Sequence, residues 1–166
     1  MRRTIHALLG AAIGLSIAGT RIEYSIPCMV FGWIGGWFPD LDLKFKHRKT
    51  LHSLISMLSA SALVYTVLSV VEAFLGLNTM AYFLTLSFFS GWILHVISDS
   101  LTVKGVYILW PISDYRLRLA SFKSNSLLLN IIGVLLSLTI IIFLIYSMYL
   151  RYYSIIFESI KNILRT

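Results

Sequence analysis

The chain has 166 residues, of which 58% are hydrophobic and 13% are charged, and its mean hydropathy is +0.83. Soluble domains contain about 45–50% apolar and about 25% charged residues, so this composition excludes an ordinary soluble domain and indicates a single integral membrane domain. The formal net charge is +7, but the Lys and Arg residues occupy short loops between apolar runs, and without a basic domain we expect no nucleic-acid partner.

The apolar runs are the first structural signal along the chain. Several of them approach the ~17–25 residues that a membrane-spanning helix needs. We therefore predict an all-α, polytopic helical bundle in the membrane, with about five transmembrane segments and an interfacial C-terminal helix after residue 150. The predicted spans cover residues 4–19, 24–38, 51–75, 79–101 and 126–150.

The first span begins like a secretory signal, with Arg2 and Arg3 before an apolar core. His6 interrupts that core and further spans follow at once, so we predict an uncleaved first helix. The single cysteine, Cys28, lies in the second span. It cannot form an intrachain disulfide, and we expect it to be a small buried hydrophobe.

The loops differ in charge. Lys and Arg are concentrated at the N-terminus, in loop 40–50 and in loop 102–125, whereas loop 72–78 has none. Five spans place the three basic segments on one side, which the positive-inside rule makes cytoplasmic. The protein is therefore expected in the inner or plasma membrane. The basic residues of the tail lie on the wrong side for this rule.

The four histidines and several of the few acidic residues fall at the predicted cytoplasmic ends of the spans. His95 and Asp99 are separated by four positions, so they share one helix face. Imidazole and carboxylate are typical zinc ligands, and ionisable groups in a membrane segment indicate function. The sequence thus predicts a divalent metal site, with zinc as the expected ion. The candidate ligands are His6, Asp40, Asp42, His52, His95 and Asp99.

Each cluster also has a structural alternative. Asp40-Leu41-Asp42 after Pro39 is compatible with a helix cap and turn, and His95 with Asp99 is compatible with a hydrogen bond between helices. His47 and Arg48 fit a solvated basic loop. In a catalytic interpretation, Arg48 holds an anionic head group, because its planar fork suits phosphate, and His47 is a candidate general acid.

These residues, in this order, resemble a family of membrane-bound, predicted metal-dependent hydrolases known as YdjM-like. The resemblance covers residues 4 to about 112 and rests on His6 with Gly10 and on three longer runs. The runs are Gly36-Trp37-Phe38-Pro39-Asp40-Leu41-Asp42, His47-Arg48-Lys49-Thr50-Leu51-His52-Ser53 and Gly91-Trp92-Ile93-Leu94-His95-Val96-Ile97-Ser98-Asp99-Ser100-Leu101-Thr102, with Gly105 and Trp110-Pro111 behind. It implies a helical membrane fold and a metal-dependent hydrolytic site.

Two positions depart from the family pattern. Ile5 stands where the family usually has Thr or Ser, and Lys49 stands where it usually has Gly. The second change predicts a different loop conformation, because Gly adopts positive φ at little cost and Lys does not.

The function expected from these features is hydrolysis of an ester or phosphoester in a lipid or amphiphile at the cytoplasmic interface. The alternative is a non-enzymatic metal-binding scaffold or a small transporter. A transporter should carry its ionisable groups near the middle of the membrane, whereas here they cluster at one end.

Overall fold

A computed structural model describes residues 1–44 and 49–164. Within them the chain forms five α-helices, and the only β structure is a pair of isolated bridges, Thr102 with Phe122 and Val106 with Leu117. The predicted all-α membrane fold is therefore confirmed. The helices are α1 (Arg3–Ala18), α2 (Ile22–Trp37), α3 (Leu54–Leu75), α4 (Met80–Ser100) and α5 (Leu127–Ile163), and a 3₁₀ helix (Phe38–Lys44) follows α2.

The five helices match the five predicted spans, but they differ in length. By length and composition α3, α4 and α5 can each cross a membrane. Helices α1 and α2 have 16 residues each, about 24 Å at 1.5 Å per residue, which is less than the ~30 Å hydrocarbon core. They form a hairpin that turns at Gly19–Arg21 and packs against α4, so neighbouring protein shields much of their surface.

Glycines set the spacing inside the α1–α2–α4 core. A Cβ added to Gly36 in α2 would overlap the backbone oxygen of His6 in α1, and a Cβ added to Gly91 in α4 would overlap the backbone oxygen of Gly32 in α2. Small residues at such crossings let helix backbones approach closely in lipid. This spacing brings the start of α1, the end of α2 and the end of α4 into one layer.

The segment between α4 and α5 folds back over the bundle. Val106 is fully buried and packs with Met57, Phe88, Trp92 and Val96. Val106, the first residue of the apolar run 106–110, therefore belongs to the protein core. The backbone N–H of Leu54 donates to the oxygen of Ile108 at 2.8 Å, which joins this segment to the start of α3.

The C-terminal region differs from the prediction. A separate interfacial helix was expected after residue 150, but α5 continues without a break from Leu127 to Ile163. The reason is local: residues 151–163 contain neither Gly nor Pro, so nothing stops the helix. On the way α5 contacts the hairpin at both ends, through Asn130 with the backbone of Arg2 and through Arg151 with Thr20.

Candidate metal centre

Five of the six predicted metal ligands converge in the structure. His6 lies in the first turns of α1, Asp40 in the 3₁₀ helix after α2, and His52 just before α3. His95 and Asp99 lie one turn apart at the end of α4. The three imidazoles and Asp99 are almost fully buried, and Asp40 is 9% exposed. Ionisable side chains from four separate parts of the chain therefore lie together in one buried layer.

The reactive atoms of these side chains lie close together. His6 Nε2 is 3.4 Å from Asp99 Oδ1, and His52 Nε2 is 3.7 Å from Asp99 Oδ2. His95 Nε2 is 3.9 Å from both Asp40 Oδ1 and Asp99 Oδ2, and 3.2 Å from His52 Nε2. Two triads have all three ligand atoms within 4.8 Å of one another: His6 with His95 and Asp99, and Asp40 with His52 and His95.

The backbone of α2 orients the imidazole ring of His95. Its Nδ1 lies 2.8 Å from the carbonyl oxygen of Gly36. A carbonyl oxygen can only accept, so Nδ1 carries a hydrogen, and Nε2 of the neutral ring then presents a lone pair to the cluster. Histidines that bind metals are commonly held in this way, with the second ring nitrogen donating to a backbone carbonyl.

The spacing of the ligand atoms is compatible with a metal site, and His52 Nε2 and His95 Nε2 also lie within hydrogen-bond distance of each other. Nitrogen–oxygen hydrogen bonds are about 2.7–3.2 Å long, and the four His–Asp separations of 3.4–3.9 Å exceed that range. Two ligands that share a tetrahedral zinc with bonds of about 2.0–2.1 Å stand roughly 3.3 Å apart. The separations therefore fit side chains arranged around a common ion, and these buried groups could hold one.

Two further contacts hold the imidazoles. The rings of His6 and His95 are stacked with centroids 4.0 Å apart. The indole Nε1 of Trp92 donates to the backbone oxygen of Leu51 at 2.8 Å, which ties the residue before His52 to α4. Trp92 lies one turn before His95, so the same helix face carries one ligand and supports the segment that carries another.

Asp40 is the ligand nearest to solvent, and Arg3 lies beside it. Arg3 Nε is 3.8 Å from Asp40 Oδ2, and the Arg3 side chain is half exposed. Burial raises the pKa of the Asp40 carboxyl above its ordinary value, and Asp99 acts in the same direction, while His6, His52 and Arg3 oppose the rise. Sequence reasoning assigned Arg3 no role at the site. The available signal was its spacing, three residues before His6 on one helix.

Three predicted site residues cannot be placed. His47 and Arg48 lie outside the described residues, and so does the side chain of Asp42, although its backbone belongs to the 3₁₀ helix. Their predicted roles remain predictions. Lys49, the residue after them, forms an ion pair with Asp114 at 2.6 Å, and this hydrogen bond raises the pKa of Lys49.

Comparison with known proteins gives one match. A family model described as YdjM inner membrane protein matches residues 1–158, a longer stretch than the resemblance in the sequence motifs. No curated protein and no solved structure matches the chain. The matched region includes every candidate ligand and both residues with predicted catalytic roles.

Proposed function

The chain belongs to the YdjM inner membrane protein family, and we propose that it is a metal-dependent hydrolase that cleaves an ester or phosphoester of a lipid or amphiphile at the cytoplasmic interface. The proposal that the protein binds a metal ion is supported by a buried set of three imidazoles and two carboxylates, with His–Asp separations of 3.4–3.9 Å. The reaction part rests on the position of this set at one end of apolar helices.

The protein is proposed to hold one divalent ion, zinc, per chain. The two triads of possible ligands share His95, and its Nε2 has a single lone pair because Nδ1 donates to Gly36. One imidazole nitrogen cannot complete two separate sites. The ion would be held by a subset of His6, His52, His95, Asp99 and Asp40, with the other members orienting those ligands.

A bound divalent ion would supply two effects there, lowering the pKa of a water molecule and polarising the oxygen of the scissile group. The residues of the chain supply the rest. The tight α1–α2–α4 packing keeps bulk water away from His6, His95 and Asp99. Asp40 lies on the more exposed side of the cluster, beside Arg3, and is placed to take a proton from an attacking water molecule.

The substrate's head group is expected to be anionic. Arg3 is half exposed next to Asp40. Four more basic residues follow Asp40 closely in the sequence: Lys44, Lys46, Arg48 and Lys49. A guanidinium can bind a phosphate with two parallel hydrogen bonds, whereas an ammonium acts as a point charge. Arg48 is proposed as the phosphate-binding residue, His47 as a general acid, and Asp42 as an additional or supporting ligand.

The cytoplasmic orientation is a separate part of the proposal. It is supported by the concentration of Lys and Arg at the end of the molecule that carries the site. Reporters inserted at Phe45 and at Gly76 should report opposite sides of the membrane, with Phe45 in the cytoplasm. If both reported the same side, the layer of ligands could not form at one membrane face as described.

The decisive experiment for the reaction is turnover of a panel of phosphoester and carboxylester lipids by purified, zinc-loaded protein. Arg48→Lys should reduce turnover of anionic substrates sharply while leaving metal content unchanged, because lysine cannot reproduce the bidentate contact. Lys104→Arg, in the second basic loop, is the matched control and should be neutral. Equal activity of the wild type and Arg48→Lys would remove Arg48 from the mechanism. Failure to hydrolyse any member of the panel would favour a metal-binding scaffold.

A further inference from the structure

A second feature of the structure lies in the membrane-spanning part, between α3 and α4. The two helices enclose an open cleft of about 350 Å³, hereafter the α3–α4 cleft. Its surface is almost entirely apolar, with hydroxyl groups at a few points. The lining residues are Leu58, Ser61, Ala62, Tyr65, Tyr82, Thr85, Leu86 and Phe89.

The cleft differs from an ordinary contact between membrane helices. Such contacts are usually closed by small residues, and Ser and Thr hydroxyls commonly bond across them. Ser61 and Thr85 stand on opposite walls, yet neither hydroxyl has a hydrogen-bond partner within residues 1–44 and 49–164. The aromatic side chains of Tyr65, Tyr82 and Phe89 instead line an open space. The two helices pack together along one side, in the cluster of Met57, Phe88 and Trp92, and leave the cleft open beside that contact.

The two helices that form the cleft also lead to three of the candidate metal ligands, which lie outside the cleft lining. Helix α4 contributes Phe89 and Tyr82 to the cleft and ends in His95 and Asp99, and α3 begins two residues after His52. At 1.5 Å per residue, Phe89 lies about 9 Å and Tyr82 about 20 Å from His95 along the helix axis. Half of the ~30 Å hydrocarbon core is about 15 Å. The cleft thus occupies the depth that the acyl chain of a lipid reaches when its head group is at the site.

The open side of the cleft faces the surface that lipid covers. Leu58, Tyr65 and Tyr82 are each about half exposed. Pockets for small molecules are typically concave and mostly apolar, with few polar groups, and an apolar cleft in the hydrocarbon layer suits a hydrocarbon chain.

We propose that the α3–α4 cleft binds the acyl chain of the lipid substrate, with the head group of the same lipid at the His–Asp cluster. This inference rests on the proposed hydrolase function and names its substrate class as an acyl lipid. Residues at the far end of the cleft then limit chain length, because a chain that extends beyond Tyr82 leaves the apolar lining.

The test uses a phosphatidylglycerol with a photoreactive diazirine in its acyl chain, placed in phosphatidylcholine vesicles that contain the full-length protein. Labelled positions are mapped by mass spectrometry. Labelling should be saturable and concentrated in the cleft, well above labelling of Ile142 and Phe143 on the exposed surface of α5. Ala62→Trp fills the cleft and should reduce this labelling by about tenfold or more, the range seen when a hydrocarbon group is excluded from a pocket.

Ala73→Trp is the matched control, since Ala73 is also an exposed alanine of α3 but does not line the cleft. In Ala73→Trp, the photoreactive lipid should label the cleft as strongly as in the wild type. Equal labelling of the cleft and α5 would mean that the label comes from lipid surrounding the protein without specific binding, and it would overturn the proposal. A disulfide-linked dimer of Ala62→Cys in high yield would overturn it too, because a second copy would then occupy the cleft. Labelling requires neither metal nor turnover, so failure of the hydrolase proposal is detected separately by metal content and activity.

Discussion

The α1–α2–α4 core and the two outer helices α3 and α5 are all apolar in composition, but they bury very different shares of their surface. In the most apolar stretch of each long helix, 44% of α4 is buried inside the molecule, compared with 11% of α3 and 22% of α5. The core contains the glycine crossings and most of the candidate ligands, and the outer helices present large apolar side chains to lipid. Since lipid is as apolar as Leu, helix contacts in a membrane depend on close fit rather than on hydrophobic burial. The candidate ligands are therefore concentrated where the backbones approach most closely.

The largest effect is expected from a side chain placed in the core crossing. Gly91→Val should prevent α4 from reaching α2, because even a Cβ would overlap the backbone oxygen of Gly32. Overpacking of this kind costs about 1–3 kcal/mol or more. The variant should lose metal binding and unfold at a clearly lower temperature in detergent. Ala73→Val, on the exposed surface of α3, should change neither quantity. Comparable losses in both variants would contradict the contrast between core and outer helices.

A smaller and more specific effect is expected when a buried aspartate is substituted, and substitution of an exposed aspartate is the comparison. Asp99→Asn replaces a buried carboxyl group that lies close to all three imidazoles. Zinc affinity, measured by competition with a chelator, should fall by at least the ~10–100-fold that loss of a supporting partner alone can cost. Asp114→Asn removes an exposed acid that pairs with Lys49, and zinc affinity should not change. An unchanged affinity in Asp99→Asn would exclude Asp99 as a ligand.

The smallest effect is expected at the end of α5. Truncation after Tyr153 removes the part of the helix beyond the contact between Arg151 and Thr20. Zinc content and lipid hydrolysis should remain at the wild-type level, because none of the candidate ligands lies in this part. A loss of metal on truncation would mean that the outer helices support the site more directly than their packing indicates.

Much of the architecture can be read from the sequence. The apolar runs locate α1 to α4 to within three residues at either end, and the start of α5 to within one residue, because span length is set by the membrane. Successive loops of a helical membrane protein lie on alternate sides of the membrane. This rule places five candidate ligands at one end of the bundle: His6, Asp40, His52, His95 and Asp99. The continuity of α5 is not evident from hydropathy because Arg151 ends the apolar run, although no residue from 151 to 163 interrupts a helix.

The atomic arrangement of the site cannot be read from the sequence in the same way. The hydrogen bond from His95 to the Gly36 carbonyl and the contact of Arg3 with Asp40 depend on how α1, α2 and α4 cross. Those crossings depend on glycines whose partners lie on other helices. The α3–α4 cleft is invisible in the sequence for a related reason, since Ser61 and Thr85 in a membrane helix would ordinarily suggest a closed contact.

Elemental analysis of the purified protein measures directly whether the His–Asp cluster binds a metal ion. We predict about one divalent ion per chain, because a single set of three or four His and Asp ligands fills one site. His95→Ala should abolish this content while the protein still inserts in the membrane. A wild-type protein that contains no divalent metal and cannot be loaded with zinc or manganese would contradict the account.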